Sequence, residues 1–467
     1  MNSMKLNSFK QNIFYFLIIC FTFINCNNLI SEPKSVNKEF ENVNKLAKEF
    51  LQNMIDKQYE KAHNYFDENV KNLMTIEKLQ ETHGQLNTAF GVFSQFGDIG
   101  NSKMENMKIA EVIMKYEKNN LNTRLVFDTT NKIAGLFFIP TYERTNKNAV
   151  TYIDTSRFTE EDVEFGNPDW SIKGSLCIPK YKKSMYAIVM LSGSGPNNRN
   201  SEIGPNVPFL DIAQGLASSG IMTLRFDKRT KLYGKKMYET TNSHITLKEE
   251  YYDDTDYAID FISRYADYLK VNLKGLIILG HSQGGSVLPY IMKNSKFKDK
   301  ISGGIFMAAP ARNFEDILLD QYNYLFTLDN VLEQKEQDEL NKLKLQIAKV
   351  KDLANHKDDK YLPMNLPYEY WVSINECKPI ENIKINDKPI FFLQGGKDYQ
   401  VTLQDLNLFE TALANKKNTK FKFYDNLSHI FMQVEGKPNP DMYTQKNNVD
   451  PEVIKDIEKW VKSAFKE

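Results

Sequence analysis

From residue 36 to about residue 95, apolar side chains return every three or four positions, and Val43, Leu46, Ala47, Phe50, Leu51 and Met54 fall on one stripe. The spacing predicts three helices, the second around residues 59–74 and the third starting at Thr75. After that the period changes. The runs MKIAEVIMKYE, NTRLVFD and NKIAGLFFIP alternate, are rich in β-branched residues, and are separated by Asn-rich turns such as KNNLN, a pattern of antiparallel strands. Residues 36–140 are therefore expected to form a small α+β domain, followed by a connector over 141–158.

Beyond residue 158, strand and helix patterns alternate. Strands are expected over 160–165, 171–178, 187–191, 221–226, 275–279, 303–308, 389–393 and 420–424. Helices are expected over 208–219, capped by Gly220, and over 247–268, 284–294, 403–415 and 451–465. Near-continuous apolar strands between helices imply an α/β domain over 158–467, with a mostly parallel sheet covered on both faces. Between 311 and 388 the alternation stops. There LEQKEQDELNKLKLQIAKVKDLAN places Leu340, Leu343, Ile347, Val350 and Ala354 on one stripe, so this segment reads as an inserted helical cap, either a lid or a packing appendage. Its aromatics Tyr322, Tyr324, Phe326, Tyr368, Tyr370 and Trp371 either line an apolar acyl site or form the cap's own core.

The first 26 residues read as an address. Lys5 and Lys10 precede an apolar run over 13–24 that matches a signal h-region and is too short to span a bilayer comfortably. Cys26, in FINCNN, resembles the acylated cysteine of a bacterial lipoprotein, with Phe23 and Asn25 standing where Leu and a small residue are usual. The expectation is an exported protein anchored to a lipid membrane through acylated Cys26, with 27–38 as a polar tether, or else a secreted one.

Composition removes several functions. Lys and Arg together number 60, as do Asp and Glu, so no charge excess points to a nucleic-acid partner. The four cysteines (Cys20, Cys26, Cys177, Cys377) form no Cys-x-x-Cys pair and the six histidines no His-x-x-x-His pair, so neither a metal site nor a disulfide scaffold is suggested. No cofactor is expected.

One motif carries chemistry. LIILGHSQGG is an apolar strand running into Gly280-His281-Ser282-Gln283-Gly284 and then a helix, the context a nucleophile elbow requires, with Ser282 as nucleophile. Such an elbow demands an acid and then a histidine beyond later strands. Asp398 follows KPIFFLQGGK, and His429, in LSHIF, follows KFKFYDN; Asp425 is the second candidate acid but stands very close to His429. Imidazole titrates near ~6.5 in general, so a histidine here can take the serine proton and return it, while the aspartate fixes its tautomer. Of the other histidines, His281 is locked in the elbow, and His63, His83, His244 and His356 read as surface or packing residues. The oxyanion donors are expected to be the backbone N–H of Gln283 and that of Ser194 or Gly193, in the turn LSGSGPNNRN after an earlier strand. A phosphate loop is the competing reading of that turn, but it lacks the required glycine spacing.

With SGSGPNNRN, LRFDKR, GHSQGG, GGKDYQV and SHIF, the chain from about residue 158 resembles the α/β-hydrolase superfamily, and within it bacterial carboxylesterases carrying a GSGP-type oxyanion turn. The segment ending NKIAGLFFIP looks like the module of uncharacterised function that precedes such esterases in exported bacterial proteins. The resemblance implies metal-free hydrolysis of small esters with short or medium acyl groups, through an acyl-enzyme. Asn198 and Asn200 stand beside Arg199 where the family usually has acids, which bears on substrate preference. Arg225, Lys228 and Arg229 either bind a substrate carboxylate or pair within the loops, and pairing of Cys177 with Cys377 is left open. The alternatives are a serine peptidase or thioesterase of the same fold, or a non-catalytic binding lipoprotein.

Overall fold

A computed structural model describes residues 38–104, 106–141, 150–180, 184–241, 244–359 and 362–465. The expected export signal and Cys26 lie outside them. The chain divides into two compact units between residues 145 and 146.

In the first unit, α1 (Glu41–Ile55), α2 (Tyr59–His63), α3 (Glu68–Leu73) and α4 (Ile76–Phe90) precede an antiparallel sheet of β1 (Phe93–Met104), β2 (Met107–Tyr116), β3 (Asn120–Phe127) and β4 (Ile133–Thr141), in that spatial order. The predicted stripe of α1, with Val43, Ala47, Phe50, Leu51 and Met54, is buried in one core with Ala110, Val112, Met114, Leu121 and Leu125 of the sheet. Asp67 and Thr75 cap α3 and α4 by accepting the N–H groups of Val70 and Lys78. The sequence reading carried helix to about residue 95 and missed β1. That strand has register breaks between Phe93 and Gln95 and between Phe96 and Ile99, so its side chains never alternate cleanly enough to read as a strand.

The second unit opens with the hairpin β5 (Phe158–Asn167) and β6 (Trp170–Pro179). There follow β7 (Ser184–Leu191), α5 (Pro208–Ser218), β8 (Met222–Phe226), α6 (Arg229–Thr240), a π turn (Lys248–Tyr252), α7 (Asp253–Tyr268), β9 (Asn272–His281), α8 (Gln283–Asn294) and β10 (Ile301–Met307). Four cap helices, α9 (Phe314–Phe326), α10 (Gln334–Lys351), α11 (Tyr368–Glu376) and α12 (Pro379–Lys384), interrupt the alternation before β11 (Ile390–Gly395), α13 (Leu403–Ala412), β12 (Thr419–Tyr424) and α14 (Pro451–Ala464). The eight strands lie in the order β12-β11-β10-β9-β7-β8-β6-β5. All neighbouring pairs from β8 through β12 are parallel, and β6 alone is reversed, pairing antiparallel with both β8 and β5. This is the mostly parallel α/β sheet expected from the alternation, and the α/β-hydrolase fold that the resemblance implies. After β7 the chain moves to one side for β8 and then to the other for β9. The carboxyl ends of β7 and β9 therefore flank a switch in strand order, where open α/β sheets leave a crevice.

Helix α6 escaped the sequence reading because it is kinked at Tyr233 (φ −134°, ψ 21°) and mostly polar. In the cap, Leu340, Leu343, Ile347 and Val350 are buried as the stripe predicts, but the helix stops at Lys351 and Ala354 is exposed. Cys177 and Cys377 are free, buried thiols, each pushed up to about 12 by burial. No helix among the described residues is long and apolar enough to cross a membrane.

Candidate active site

Ser282 ends β9 and begins α8 with φ 53° and ψ −124°, a conformation that strains any residue with a Cβ. Three backbone bonds hold it there: its N–H donates to Met307 O at 2.9 Å, and its carbonyl accepts from Gly285 N (2.8 Å) and Ser286 N (3.1 Å). The glycines answer a steric need. A Cβ on Gly284 would lie 2.5 Å from Leu191 O and 2.6 Å from Ser192 O, so only glycine lets the start of α8 press against the end of β7. That contact brings the elbow beside the SGSGP turn: a Cβ built on Gly193 would stand 3.1 Å from Ser282 Cβ.

Asp398 and His429 meet on the same edge of the sheet. Asp398 Oδ2 accepts from His429 Nδ1 at 2.7 Å, while Oδ1 accepts the N–H groups of Gln400 and Val401 at 2.8 and 2.9 Å. Gln394 Nε2 adds a fourth donor, at 3.2 Å, to Oδ2. Both side chains are buried. Gly395 makes the pairing possible, because a Cβ there would strike the carbonyls of Leu427 and Ser428 in the loop carrying His429. Asp425, the second candidate acid, is exposed. The Ser282 hydroxyl makes no hydrogen bond to His429 in this conformation; such bonds are commonly long before substrate binds.

His281, locked in the elbow as expected, also touches His429. It is buried, its ring centroid lies 4.7 Å from that of His429, and its Nε2 is 2.8 Å from the His429 carbonyl. A carbonyl only accepts, so His281 is the Nε2–H tautomer and anchors the backbone of His429. The contact spans two distant segments, and nothing local in GHSQGG announces it. Burial, and then His429, push the His281 pKa down to about 3. The folded state thus refuses a proton that the unfolded chain takes up below ~6.5, and the stability held above that pH is lost as pH falls towards 3. Between pH 7 and pH 5 this one group is expected to cost about 2 kcal/mol. The His281→Asn variant should lose that much less stability than the parent over the same interval in urea unfolding, and equal losses would refute the assignment.

The backbone N–H groups of Ser194 and Gln283 donate to no acceptor among the described residues, and both residues line, with Ser282, a cleft of about 750 Å³. That of Gln283 is the first of its helix, where no intrahelical acceptor exists. The cleft wall carries Arg312, Asn313, Glu315, Lys351, Lys378 and Glu381 from the cap and its approaches. None of the six cap aromatics singled out from the sequence lines it. Tyr370 and Trp371 join the main core, Tyr322 the cap core, and Tyr324 stacks on Tyr399 at 5.2 Å.

The basic residues after β8 are all paired: Arg225 with Glu160, Lys228 with Glu250 at 2.5 Å, and Arg229 with Asp254. Arg199 binds Asp227, Asp162 and the Gly174 carbonyl, and Asn200 accepts from Arg225 at 3.0 Å. The asparagines beside Arg199 therefore brace the loop. Elsewhere His83 bonds to Tyr59, His244 to Glu369 and His356 to Asp359, and His63 packs edge-on against Phe66. No cluster of potential metal ligands exists among the described residues.

Known proteins resemble this one over much of its length. Residues 47–136 match a family described as a protein of unknown function (DUF3887), and residues 370–464 match the dienelactone hydrolase family. Among solved structures, a Pyrococcus furiosus esterase has a TM-score of 0.38 at 15% identity and covers 70% of this chain and 100% of its own. An acylaminoacyl peptidase of Pyrococcus horikoshii gives 0.41 at 12% identity, covering 81% and 56%. The esterase EstD of Thermotoga maritima is 30% identical over 412 residues, which are 88% of this chain and 93% of that protein. With that identity over nearly the whole of both proteins, the chain belongs to the EstD family of α/β-hydrolases.

Proposed function

We propose that this protein is a serine esterase in which Ser282, His429 and Asp398 act as a triad. His429 takes the Ser282 proton as the hydroxyl attacks an ester carbonyl, then protonates the leaving alcohol; water deprotonated by the same imidazole releases the acid. The N–H groups of Gln283 and Ser194 receive the developing oxyanion, with Gly193 shaping the turn. The observation that carries this reading is the buried 2.7 Å Asp398–His429 bond on the sheet edge from which the strained Ser282 projects. Kinship with EstD supports the reaction class. A cleft lined by apolar side chains such as Phe314, Leu318 and Val350 beside charged ones such as Arg312 and Lys351 supports small esters with short to medium acyl groups.

Rates on p-nitrophenyl acetate, on the matching thioester and on an aminoacyl anilide test the choice of bond. The ester is expected to turn over at least about 100-fold faster than the anilide, since the same machinery meets a far poorer leaving group in an amide. An anilide cleaved as fast as the ester would favour a peptidase instead. Residues 1–26 as an export signal and acylation at Cys26 belong to the same proposal, supported by the basic start and the short apolar run. Metabolic labelling with a palmitate analogue is expected to vanish in Cys26→Ser, and label retained by that variant would remove this part.

A further inference from the structure

Beneath the SGSGP turn lies a cluster of polar side chains that the triad does not use. Lys228 is 2% exposed, and its ammonium meets three acceptors: Gly193 O at 3.0 Å, Tyr251 Oη at 2.8 Å and Glu250 Oε1 at 2.5 Å. Because Tyr251 Oη accepts from Lys228, its own proton remains to be donated. The nearest acceptor is again Gly193 O, at 2.8 Å, ahead of Ser192 O and Gln283 Oε1, both at 3.2 Å. Asn197 Nδ2 reaches Gly193 O as well, at 3.1 Å. Charge neutralisation needs only Glu250. It does not explain why three donors converge on one carbonyl of this turn.

The peptide geometry does. In a trans peptide the C=O of one residue and the N–H of the next point in opposite directions, and no cis bond is present among the described residues. Gly193 O, held from within by Lys228, Tyr251 and Asn197, turns the Ser194 N–H outwards, where it has no acceptor among the described residues. The second donor is tied to the same cluster. Gln283 Oε1 lies 3.2 Å from Tyr251 Oη, and Gln283 Nε2 donates to Tyr370 Oη at 3.2 Å. Tyr370 Oη donates in turn to Glu250. Glu250 and Tyr251 sit in the π turn, a distortion frequent at functional sites, and Tyr370 comes from cap helix α11. Burial lowers the Lys228 pKa and Glu250, at 2.5 Å, acts against it, a polar contact placed where packing alone would favour apolar residues.

We infer that Lys228 and Tyr251 are positioning residues that aim the Ser194 N–H at the oxyanion, and that Tyr370 couples docking of the cap to the same hydrogen-bond cluster. The inference rests on the esterase reading above. Tyr251→Phe removes one hydroxyl and is expected to lower kcat on p-nitrophenyl acetate 10- to 100-fold with KM within about twofold, since an oxyanion donor is worth ~10²–10³ in kcat and is here misdirected rather than deleted. Tyr370→Phe should lower kcat about tenfold in the same pattern. An alkyl boronic acid, which forms a tetrahedral adduct on the nucleophile, should bind more weakly in step with kcat/KM, while inhibition by the product acetate stays unchanged. If Tyr251→Phe does not fold, Lys228→Met combined with Glu250→Gln keeps the site neutral and serves in its place, with the same expectation. A kcat within twofold of the parent overturns the inference. So does a loss shared equally by kcat, boronate binding and acetate binding, which would mark a merely structural cluster. Full activity in Ser282→Ala would instead remove the esterase reading itself, whereas an inert Ser282→Ala beside a fully active Tyr251→Phe would remove only this inference.

Discussion

Replacing Ser282 by alanine is expected to lower kcat on p-nitrophenyl acetate by roughly 10⁶-fold, to the residual rate that the oxyanion donors and substrate binding supply alone. The size of the effect follows from the way triad members act as a unit. Without the hydroxyl there is no acyl-enzyme, and the imidazole has no proton to take from the protein. Stability should change little, because the strained elbow is held by backbone bonds of Ser282 to Met307, Gly285 and Ser286, which alanine retains. The comparison is made by steady-state kinetics beside a thermal melt. A loss of less than about 100-fold with an unchanged melt would mean that another residue attacks the ester.

Asp398→Asn is expected to cost about 10⁴-fold in kcat with little change in KM. The reason lies in the four donors around the carboxylate. The N–H groups of Gln400 and Val401 at 2.8 and 2.9 Å require an acceptor at Oδ1, so an asparagine there must place its oxygen on that side. Its NH₂ then faces His429 Nδ1 and Gln394 Nε2, where Asp398 Oδ2 had accepted. An NH₂ only donates, so Nδ1 must become the acceptor and the ring must carry its proton on Nε2. That tautomer has no lone pair on Nε2 with which to take the serine proton. Steady-state kinetics at neutral pH check this, and a loss under tenfold would show that the tautomer is set elsewhere.

What could be read from the letters alone was what short-range chemistry encodes. Apolar runs such as LIIL and PIFFL, bounded by glycines, announced β9 and β11, and the packing that buries both faces of such strands leaves no other use for them. The elbow was equally visible, because the close approach of Gly284 to Leu191 O admits no other residue and so leaves a fixed mark in the sequence. Asp398 and His429 were found by chain order after successive strands. Three features were invisible for physical reasons. Strand β1 breaks its alternation at two register shifts. The anchoring of His429 by His281 joins residues 148 positions apart. The Lys228, Tyr251 and Tyr370 cluster is built from three separate segments; Lys228 was expected to pair or bind a carboxylate and Tyr370 to pack or line the cap, but nothing in the letters joined them, and all three are buried. The cap aromatics show the converse. Their clustering suggested an apolar acyl site, but Trp371 and Tyr370 are spent on the core, while other residues, among them Phe314, Leu318 and Arg312, face the cleft.

The central claim is that the Ser282 hydroxyl is an activated nucleophile. Incubation of the protein with a fluorophosphonate, followed by protease digestion and peptide mass spectrometry, tests it without presuming any natural substrate. The account predicts one adduct per chain, on Ser282 in the peptide containing GHSQGG, and a rate of labelling that collapses in Asp398→Asn. A protein that turns over esters yet carries its adduct on a different residue, or labels equally fast without Asp398, would contradict it.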